Sequence, residues 1–264
     1  MSTISSSLAS RLVSAQPSTD RGAIISLTGM QGTGKTGWAL SAVNAGAFSR
    51  KHKPVYIPMD RKPVGKYIAD LLASGRVLVP KTNFKANLKT ANQTAGAKLW
   101  DEFEKLNEDI IAEPSLNPII WDTGTYAWTM CRLAKLGKLT QVMPHHYALA
   151  NTPFEALILQ AEERGKVIVI IDRMSKTYKV GKDGKESWTG GYDRAGYSHL
   201  GYVSNVLLES YLTETNGFGV RVVQNKITPS TSGEELVDEL CNFGVLMWKT
   251  FGEPEGEGLE EYVG

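Results

Sequence analysis

The segment of residues 22–40 reads GAIISLTGMQGTGKTGWAL, and its pattern indicates the fold class. Its residues 23–27 form a short apolar run with the length of one β-strand. A glycine-rich turn follows, and the apolar and small residues after it predict a helix that ends near Gly46. The order strand, glycine-rich turn, helix is typical of α/β proteins, in which the turn lies at the carboxyl end of a parallel strand.

The turn fits the phosphate-binding pattern GxxxxGK[ST] over residues 29–36, and these residues are here called the phosphate loop. In this pattern backbone N–H groups surround the phosphates, Lys35 reaches the β- and γ-phosphates, and the Thr36 hydroxyl ligates Mg²⁺. The alternative is a chance glycine-rich turn, but the flanking strand and helix provide the context that the motif requires. We therefore predict ATP and Mg²⁺ as ligands. The predicted binding residues are Gly29, Gly32, Thr33, Gly34, Lys35 and Thr36.

Strands and helices alternate along the following part of the chain. Further strand-length apolar runs occupy residues 55–59, 118–122 and 167–171. Such alternation indicates parallel βαβ units, so we predict an α/β fold with a mostly parallel sheet flanked by helices. Residues 206–213 and 218–224 flank Asn216-Gly217, a strong hairpin signal, and predict an antiparallel C-terminal extension of the sheet.

Two capping boxes predict where later helices begin. Thr152 and Glu155 have the required spacing, with Pro153 in the first helical position. Ser232 and Glu235 repeat the spacing and predict the start of a final helix.

Three carboxylates lie at the ends of predicted strands. A site for a nucleoside triphosphate needs an acidic residue at the tip of a neighbouring strand to hold the water shell of the metal. Asp122 and Asp172 both satisfy this condition, and periodicity leaves the choice between them open, although Arg173 offers Asp172 an ion-pair partner. Asp60 ends the second strand, where it either positions the attacking water or pairs with a neighbouring cation on the surface.

Several segments together resemble one protein family. They are residues 28–40, 119–123, 147–154, 172–178 and 188–190. The resemblance is to the RecA-like P-loop ATPases of bacteriophages, which include ATP-dependent single-strand annealing proteins, and it covers roughly residues 22–228.

The resemblance implies roles for individual residues. It assigns the metal to Asp122 with Thr36, water activation to Asp60, and a polar sensor segment to Arg173 and Lys176. Lys35, Asp60 and Asp122 are thus the implied catalytic residues. Because Asp60 is one carbon shorter than the glutamate of many recombinases, the expected ATPase activity is weak or DNA-stimulated. The implied partners are single-stranded DNA, further copies of the chain in a ring or filament, and a single-strand-binding protein.

The segment after the fourth strand interleaves cations with aromatic residues. Residues 172–199 contain six lysines or arginines and four aromatic residues. Cations follow the phosphates of single strands while aromatic side chains stack on bases. The alternative is a hairpin around Asp183-Gly184 whose lysines are only solvated. The predicted nucleic-acid-binding residues are Arg173, Lys176, Tyr178, Lys179, Lys182 and Trp188.

The composition is that of an ordinary globular protein. Of 264 residues, 42% are hydrophobic and 22% charged, which excludes disorder as the dominant state. The two cysteines form no metal-binding pattern, and no apolar run approaches the roughly 18 residues of a membrane helix. We expect a cytoplasmic protein without a membrane partner. Its expected parts are a polar arm at residues 1–21, an ATPase domain at 22–252 and an acidic tail at 253–264.

The net charge of +1 conceals two blocks of opposite sign. Residues 50–90 hold ten lysines and arginines against two aspartates, whereas residues 234–264 hold nine acidic residues against one lysine. Either both blocks are solvated faces, or the first is a polyanion-binding flank for which the acidic tail competes.

These features favour an ATPase that binds single-stranded DNA and promotes annealing or recombination. Two other classes use the same phosphate loop: a nucleotide or small-molecule kinase, and a nucleotide-binding regulatory or structural protein with little turnover. A kinase needs a lid with clustered arginines, whereas the long segment here is rich in lysines and aromatic residues.

Overall fold

The computed structural model of the chain describes residues 22–59, 65–84, 91–138, 143–180 and 186–252. The predicted N-terminal arm and acidic tail lie outside these residues. The strands of the described part are Ala23–Gly29 (β1), Lys53–Pro58 (β2), Leu116–Asp122 (β3), Val167–Ile171 (β4), Met174–Val180 (β5), Glu186–Arg194 (β6), Val206–Leu212 (β7), Phe218–Asn225 (β8) and Glu235–Val237 (β9).

Helices connect the first four strands to one another, link β6 to β7, and follow β9. Those of the described part are Lys35–Leu40 (α1), Gly46–Lys51 (α2), Lys66–Ala73 (α3), Gln93–Ala112 (α4), Gly124–Leu136 (α5), Pro144–Glu163 (α6), Leu200–Val203 (α7) and Phe243–Phe251 (α8). Short 3₁₀ turns occupy Ser41–Asn44, Pro229–Thr231 and Asp238–Leu240.

Seven strands form one sheet in the order β2-β3-β4-β1-β7-β8-β9. The neighbouring pairs β2–β3, β3–β4, β4–β1 and β1–β7 are parallel, whereas β7–β8 and β8–β9 are antiparallel. The predicted α/β class, the mostly parallel sheet and its antiparallel extension are therefore confirmed. β5 and β6 form a separate antiparallel pair, here called the β5–β6 hairpin.

Helices cover both faces of the parallel part of the sheet, because alternate residues of each strand point to opposite faces. Ile25 and Leu27 belong to one core, with the apolar residues of α1 and α8. Ile24 belongs to the other core, with those of α4, α5 and α6. The second core holds a cluster of aromatic rings with neighbouring centroids between 5.0 and 6.2 Å apart. Its members are Trp100, Phe103, Trp121, Trp128, Phe154 and Tyr197.

The two predicted capping boxes are wrong. Pro153 lies inside α6, which begins nine residues earlier, and Glu155 accepts a hydrogen bond from the Tyr197 hydroxyl. Packing of Phe154 and its apolar neighbours in the core outweighs the one backbone donor that proline lacks.

Near the C-terminus, residue Glu235 begins β9 instead of a helix. β9 pairs with β8 through three residue pairs, so strand pairing takes the segment that the local spacing assigned to a helix. The final helix α8 is capped by Asn242, whose Oδ1 accepts from the Val245 N–H at 2.9 Å.

None of the helices in the described ranges combines the length and the apolar character that crossing a bilayer requires.

Candidate nucleotide site and the adjoining hairpin

The phosphate loop begins where β1 ends, between the parallel neighbours β4 and β7. Gly29 has a φ of 146°, and a Cβ atom there would lie 2.2 Å from Ser210 Oγ. Gly34 has a φ of 78° immediately before α1. Neither position accepts a side chain without displacing its surroundings, so both glycines of the motif are required by the backbone.

Two hydroxyl groups tie the loop to β7. The oxygens Thr33 Oγ1 and Ser210 Oγ lie 2.6 Å apart, and the Thr33 hydroxyl also donates to the Met30 carbonyl oxygen at 2.8 Å. Because Thr33 uses its proton on Met30, the Ser210 hydroxyl donates either to Thr33 Oγ1 or to the Thr28 carbonyl oxygen 3.1 Å away. These contacts hold the loop against the neighbouring strand and limit its freedom before any ligand binds.

The Lys35 ammonium group lies inside the curl of the loop. Its Nζ donates to the carbonyl oxygens of Gly29 at 2.8 Å and Met30 at 2.6 Å. Burial lowers the pKa of Lys35, while the charge of Asp122 acts in the opposite direction. The Lys35 cation is thus held by two backbone carbonyl groups of the loop itself.

One carboxylate oxygen of Asp122 accepts hydrogen bonds from both Thr36 and Tyr56. The Thr36 hydroxyl donates to Asp122 Oδ2 at 2.7 Å, and the Tyr56 hydroxyl donates to the same oxygen at 2.9 Å. Hydroxyl and carboxylate oxygens are the ligands that Mg²⁺ prefers, usually one or two from the protein beside waters and phosphate oxygens. The donor set therefore fits Mg²⁺, and of the two strand-end aspartates it is Asp122 that lies beside the phosphate loop.

Asp172 belongs to a different cluster. It is fully buried at the end of β4, accepts a hydrogen bond from Thr125 Oγ1 at 3.1 Å, and lies 3.6 Å from Arg194 Nε through its Oδ2. The ion-pair partner that the structure places beside Asp172 is Arg194, whereas the guanidinium carbon of Arg173, the partner that the sequence suggested, lies 4.9 Å from the ring centroid of Tyr126. Burial raises the pKa of Asp172 to about 7, against the lowering effect of Arg194 and Thr125.

Asp172→Asn should flatten the pH dependence of stability. A folded-state pKa of about 7, above the ordinary 3.8, stabilises the folded protein below about pH 4 and loses that effect as the pH rises through 7. Denaturant midpoints at about pH 5 and about pH 8 should therefore differ less in the variant than in the parent. Asp193→Asn, an exposed neighbour, is the matched control. An undiminished difference in Asp172→Asn would contradict the buried-carboxyl account.

Asp60, the predicted water-activating residue, lies outside the described residues. The last described residues before Asp60 lie beside Asp122 of the candidate nucleotide site. Pro58 pairs in register with Asp122, and the Met59 N–H donates to the Asp122 carbonyl oxygen at 2.6 Å.

The β5–β6 hairpin presents aromatic and cationic side chains on one face. Tyr178 pairs with Trp188 and Lys176 with Tyr192, and directly opposed residues share a face. The exposed fractions of Tyr178, Trp188 and Tyr192 are 57%, 49% and 40%. Lys176 Nζ lies 5.0 Å from the Trp188 ring centroid, and the Trp188 and Tyr192 centroids lie 5.9 Å apart. The segment thus forms a hairpin, as the alternative interpretation of its sequence expects. One face of this hairpin exposes Tyr178, Trp188 and Tyr192 beside Lys176, and it is here called the aromatic face.

The other predicted nucleic-acid-binding residues are placed differently. Lys179 pairs with Ser187 and, by alternation, projects from the opposite face of the hairpin. Arg173 precedes the hairpin, and Lys182 lies outside the described residues. Tyr197, one of the aromatic residues of the predicted loop, is buried in the core.

An open cleft lies at the base of the hairpin. Its volume is about 390 Å³, and its lining includes Thr28, Asp193, Arg194 and Glu209. Thr28 directly precedes the phosphate loop, so the cleft separates the hairpin base from the strand that carries the loop.

Sequence reasoning missed Tyr56 and Ser210. Both lie inside predicted strands, where their hydroxyl groups gave no signal beyond the strand pattern itself. Only the neighbouring positions of β2, β3, β1 and β7 bring these groups to Asp122 and to the phosphate loop.

The described residues contain no group of three or more histidine, cysteine or acidic side chains with the geometry of a metal site.

None of the protein-family models matches this chain, and no curated protein matches it.

Proposed function

We propose that the chain is a RecA-like ATPase that binds ATP and Mg²⁺ at the phosphate loop, binds single-stranded DNA, and promotes annealing or recombination. The observation that carries this proposal is the hydrogen bond from Thr36 to Asp122 Oδ2, which joins the end of the phosphate loop to the tip of β3. A site for a nucleoside triphosphate needs an acidic residue at the tip of a neighbouring strand to hold the water shell of the metal, and Asp122 occupies that position.

At the nucleotide site, each residue has a separate task. Lys35 binds the β- and γ-phosphates, and the backbone N–H groups of the loop surround the remaining phosphate oxygens. Thr36 and Asp122 hold the cation, which when bound neutralises charge on the transferred phosphoryl group. Tyr56 fixes the Asp122 carboxylate through its hydrogen bond, and Asp60 orients the attacking water, the role that the family resemblance implies.

The aromatic face supports a polymeric partner. Three exposed aromatic rings with a lysine between them are costly to leave in water, and stacking on bases would cover them without selecting a sequence. A kinase that acts on a small molecule has no use for such a surface outside the nucleotide site.

The buried pair of Asp172 and Arg194 supports communication between the two sites. Arg194 ends β6 of the hairpin, and Asp172 follows β4, whose neighbour β1 leads into the phosphate loop. A change at the loop can reach the hairpin base through these packed elements. ATP acting on DNA binding or on assembly into a ring or filament is the corresponding regulation.

The deciding experiment measures the ATPase rate with and without single-stranded DNA, and the oligomeric state with and without ATP. The proposal expects weak turnover that DNA increases. Turnover that DNA leaves unchanged would favour a kinase, and binding without turnover would favour a regulatory protein. A purified single-strand-binding protein, added to an annealing assay, tests that predicted partner.

Replacing Tyr178 and Trp188 together by alanine should weaken DNA binding at every salt concentration, because stacking releases no counterions. Replacing Lys176, the lysine of the aromatic face, by alanine should instead make the slope of log affinity against log salt shallower by about 0.7, the value for one phosphate contact. Fluorescence anisotropy with labelled oligonucleotides at several salt concentrations measures both.

Thr177 and Thr189 provide the matched control. Their hydroxyl groups are bonded to each other, and the alternation of strand residues sets Thr177 on the face opposite Tyr178. The double alanine variant should bind DNA as the parent does. If the aromatic and lysine variants also bind like the parent, the hairpin is only solvated, and the DNA-binding surface must be sought in residues 50–90.

A further inference from the structure

The tip of the β7–β8 hairpin lies against the phosphate loop. A Cβ atom built on Gly34 would lie 2.8 Å from Cδ1 and 2.9 Å from Cγ of Phe218, so the phenylalanine ring contacts this glycine directly. Gly34 is the last residue before α1, beside Lys35 and Thr36. The ring therefore stands at the edge of the loop that is expected to hold the phosphates.

Phe218 is unusually exposed for its residue type. Its exposed fraction is 53%, whereas the other six phenylalanines of the chain are buried or half-buried. Leu212, its direct partner on β7, is exposed to 50%. Two large apolar side chains thus stand together in solvent at the edge of the predicted nucleotide site.

The hairpin tip is also held in place. The Thr213 N–H donates to the Gly217 carbonyl oxygen, and the Gly217 N–H donates to Thr213 Oγ1, each at 2.9 Å. Ser210, on the same strand as Leu212, is bonded to Thr33 of the loop. Because β7 is tied to the loop at one point and Phe218 touches it at another, ring and loop form one preorganised unit.

We propose that Phe218, supported by Leu212, is the stacking platform for the base of the bound nucleotide. This inference rests on the proposed function, since it needs a triphosphate in the loop. Once the phosphates lie between Gly29 and Thr36, the ribose and base must extend past the rim of the loop, and Phe218 offers an aromatic surface there. A stacked aromatic ring binds adenine and guanine alike. Phe218 therefore favours a ligand with a base over a phosphate without one, and it does not distinguish ATP from GTP.

The test compares a ligand that has a base with one that lacks it. Phe218→Ala should raise the dissociation constant for Mg²⁺-ATP and for Mg²⁺-GTP by about tenfold, the low to middle range for loss of one stacked base. Its dissociation constant for inorganic tripolyphosphate with Mg²⁺ should not change. Phe218→Tyr, which keeps the ring, should bind all three ligands like the parent.

Val223→Ala is the matched control, because Val223 is an apolar residue of the same strand with a similar exposed fraction, 51%. It should leave all three affinities unchanged. Circular dichroism and thermal unfolding establish that each variant is folded, and Phe218→Leu replaces the alanine variant if that variant is not.

Each outcome has one meaning. Unchanged ATP affinity in folded Phe218→Ala overturns the platform, and so does an equal loss of tripolyphosphate affinity. A change of oligomeric state with unchanged ATP affinity also overturns it and assigns Phe218 to a contact between copies of the chain. If the parent protein binds neither ATP nor tripolyphosphate, it is the proposed function that fails.

Discussion

Lys35→Ala should lose about 10- to 100-fold in affinity for ATP, the loss expected when one charged hydrogen-bonding group is removed from a phosphate site. Lys35 Nζ already lies within the loop, where it donates hydrogen bonds to two of the loop's carbonyl oxygens. Orienting the lysine side chain for phosphate binding therefore costs the parent protein little conformational entropy. Isothermal titration with Mg²⁺-ATP measures the change.

Lys98→Ala is the control for the loss of one positive charge, because Lys98 is an exposed residue of α4. It should bind ATP like the parent. Unchanged ATP affinity in a folded Lys35→Ala protein would show that residues 29–36 do not bind phosphate.

Asp122→Asn should reduce Mg²⁺-dependent turnover by about 100-fold or more, which is typical when a group that stabilises transition-state charge is lost. The amide oxygen can still accept from Thr36 and Tyr56, so the local hydrogen bonds remain while the negative charge that holds the cation disappears. Turnover measured over a range of Mg²⁺ concentrations should also show half-maximal activity at a higher concentration.

Asp172→Asn is the matched comparison, since it makes the same substitution at the end of the neighbouring strand. Its turnover should fall much less than that of Asp122→Asn, because Asp172 faces Thr125 and Arg194 and does not contact the loop in the described structure. If Asp172→Asn is the more damaging change while both proteins stay folded, the metal aspartate has been assigned to the wrong strand.

Local sequence was sufficient to predict the strand, glycine-rich turn and helix around residues 29–36, and insufficient for the choice of aspartate. Residues 29–36 are contiguous, so their spacing alone carries the geometry of the motif. Asp122 and Asp172 both follow buried apolar strands, and their difference lies in which residues surround each strand end. That information is non-local, since Thr36 and Asp122 are 86 residues apart in the chain.

The same distinction explains the remaining errors and omissions. Four-residue spacing predicts capping boxes at Thr152 and Ser232. At Thr152 the packing of Phe154 in the core determines the structure instead, and after Ser232 the pairing of β9 with β8 does so. Asn216-Gly217 did predict the β7–β8 hairpin, yet nothing near it in sequence indicates that Phe218 reaches Gly34.

The position of β1 inside the sheet has a consequence for hydrogen exchange. A strand with parallel partners on both sides exposes its amides only when most of the sheet opens, so β1 belongs to the unit that exchanges last. The β5–β6 hairpin has two strands and an exposed face, and isolated two-stranded ribbons are marginally stable, so it belongs to a unit that opens at lower free energy. A polymer bound there can therefore reshape the hairpin while the phosphate loop, anchored to the last-opening strand, keeps its geometry.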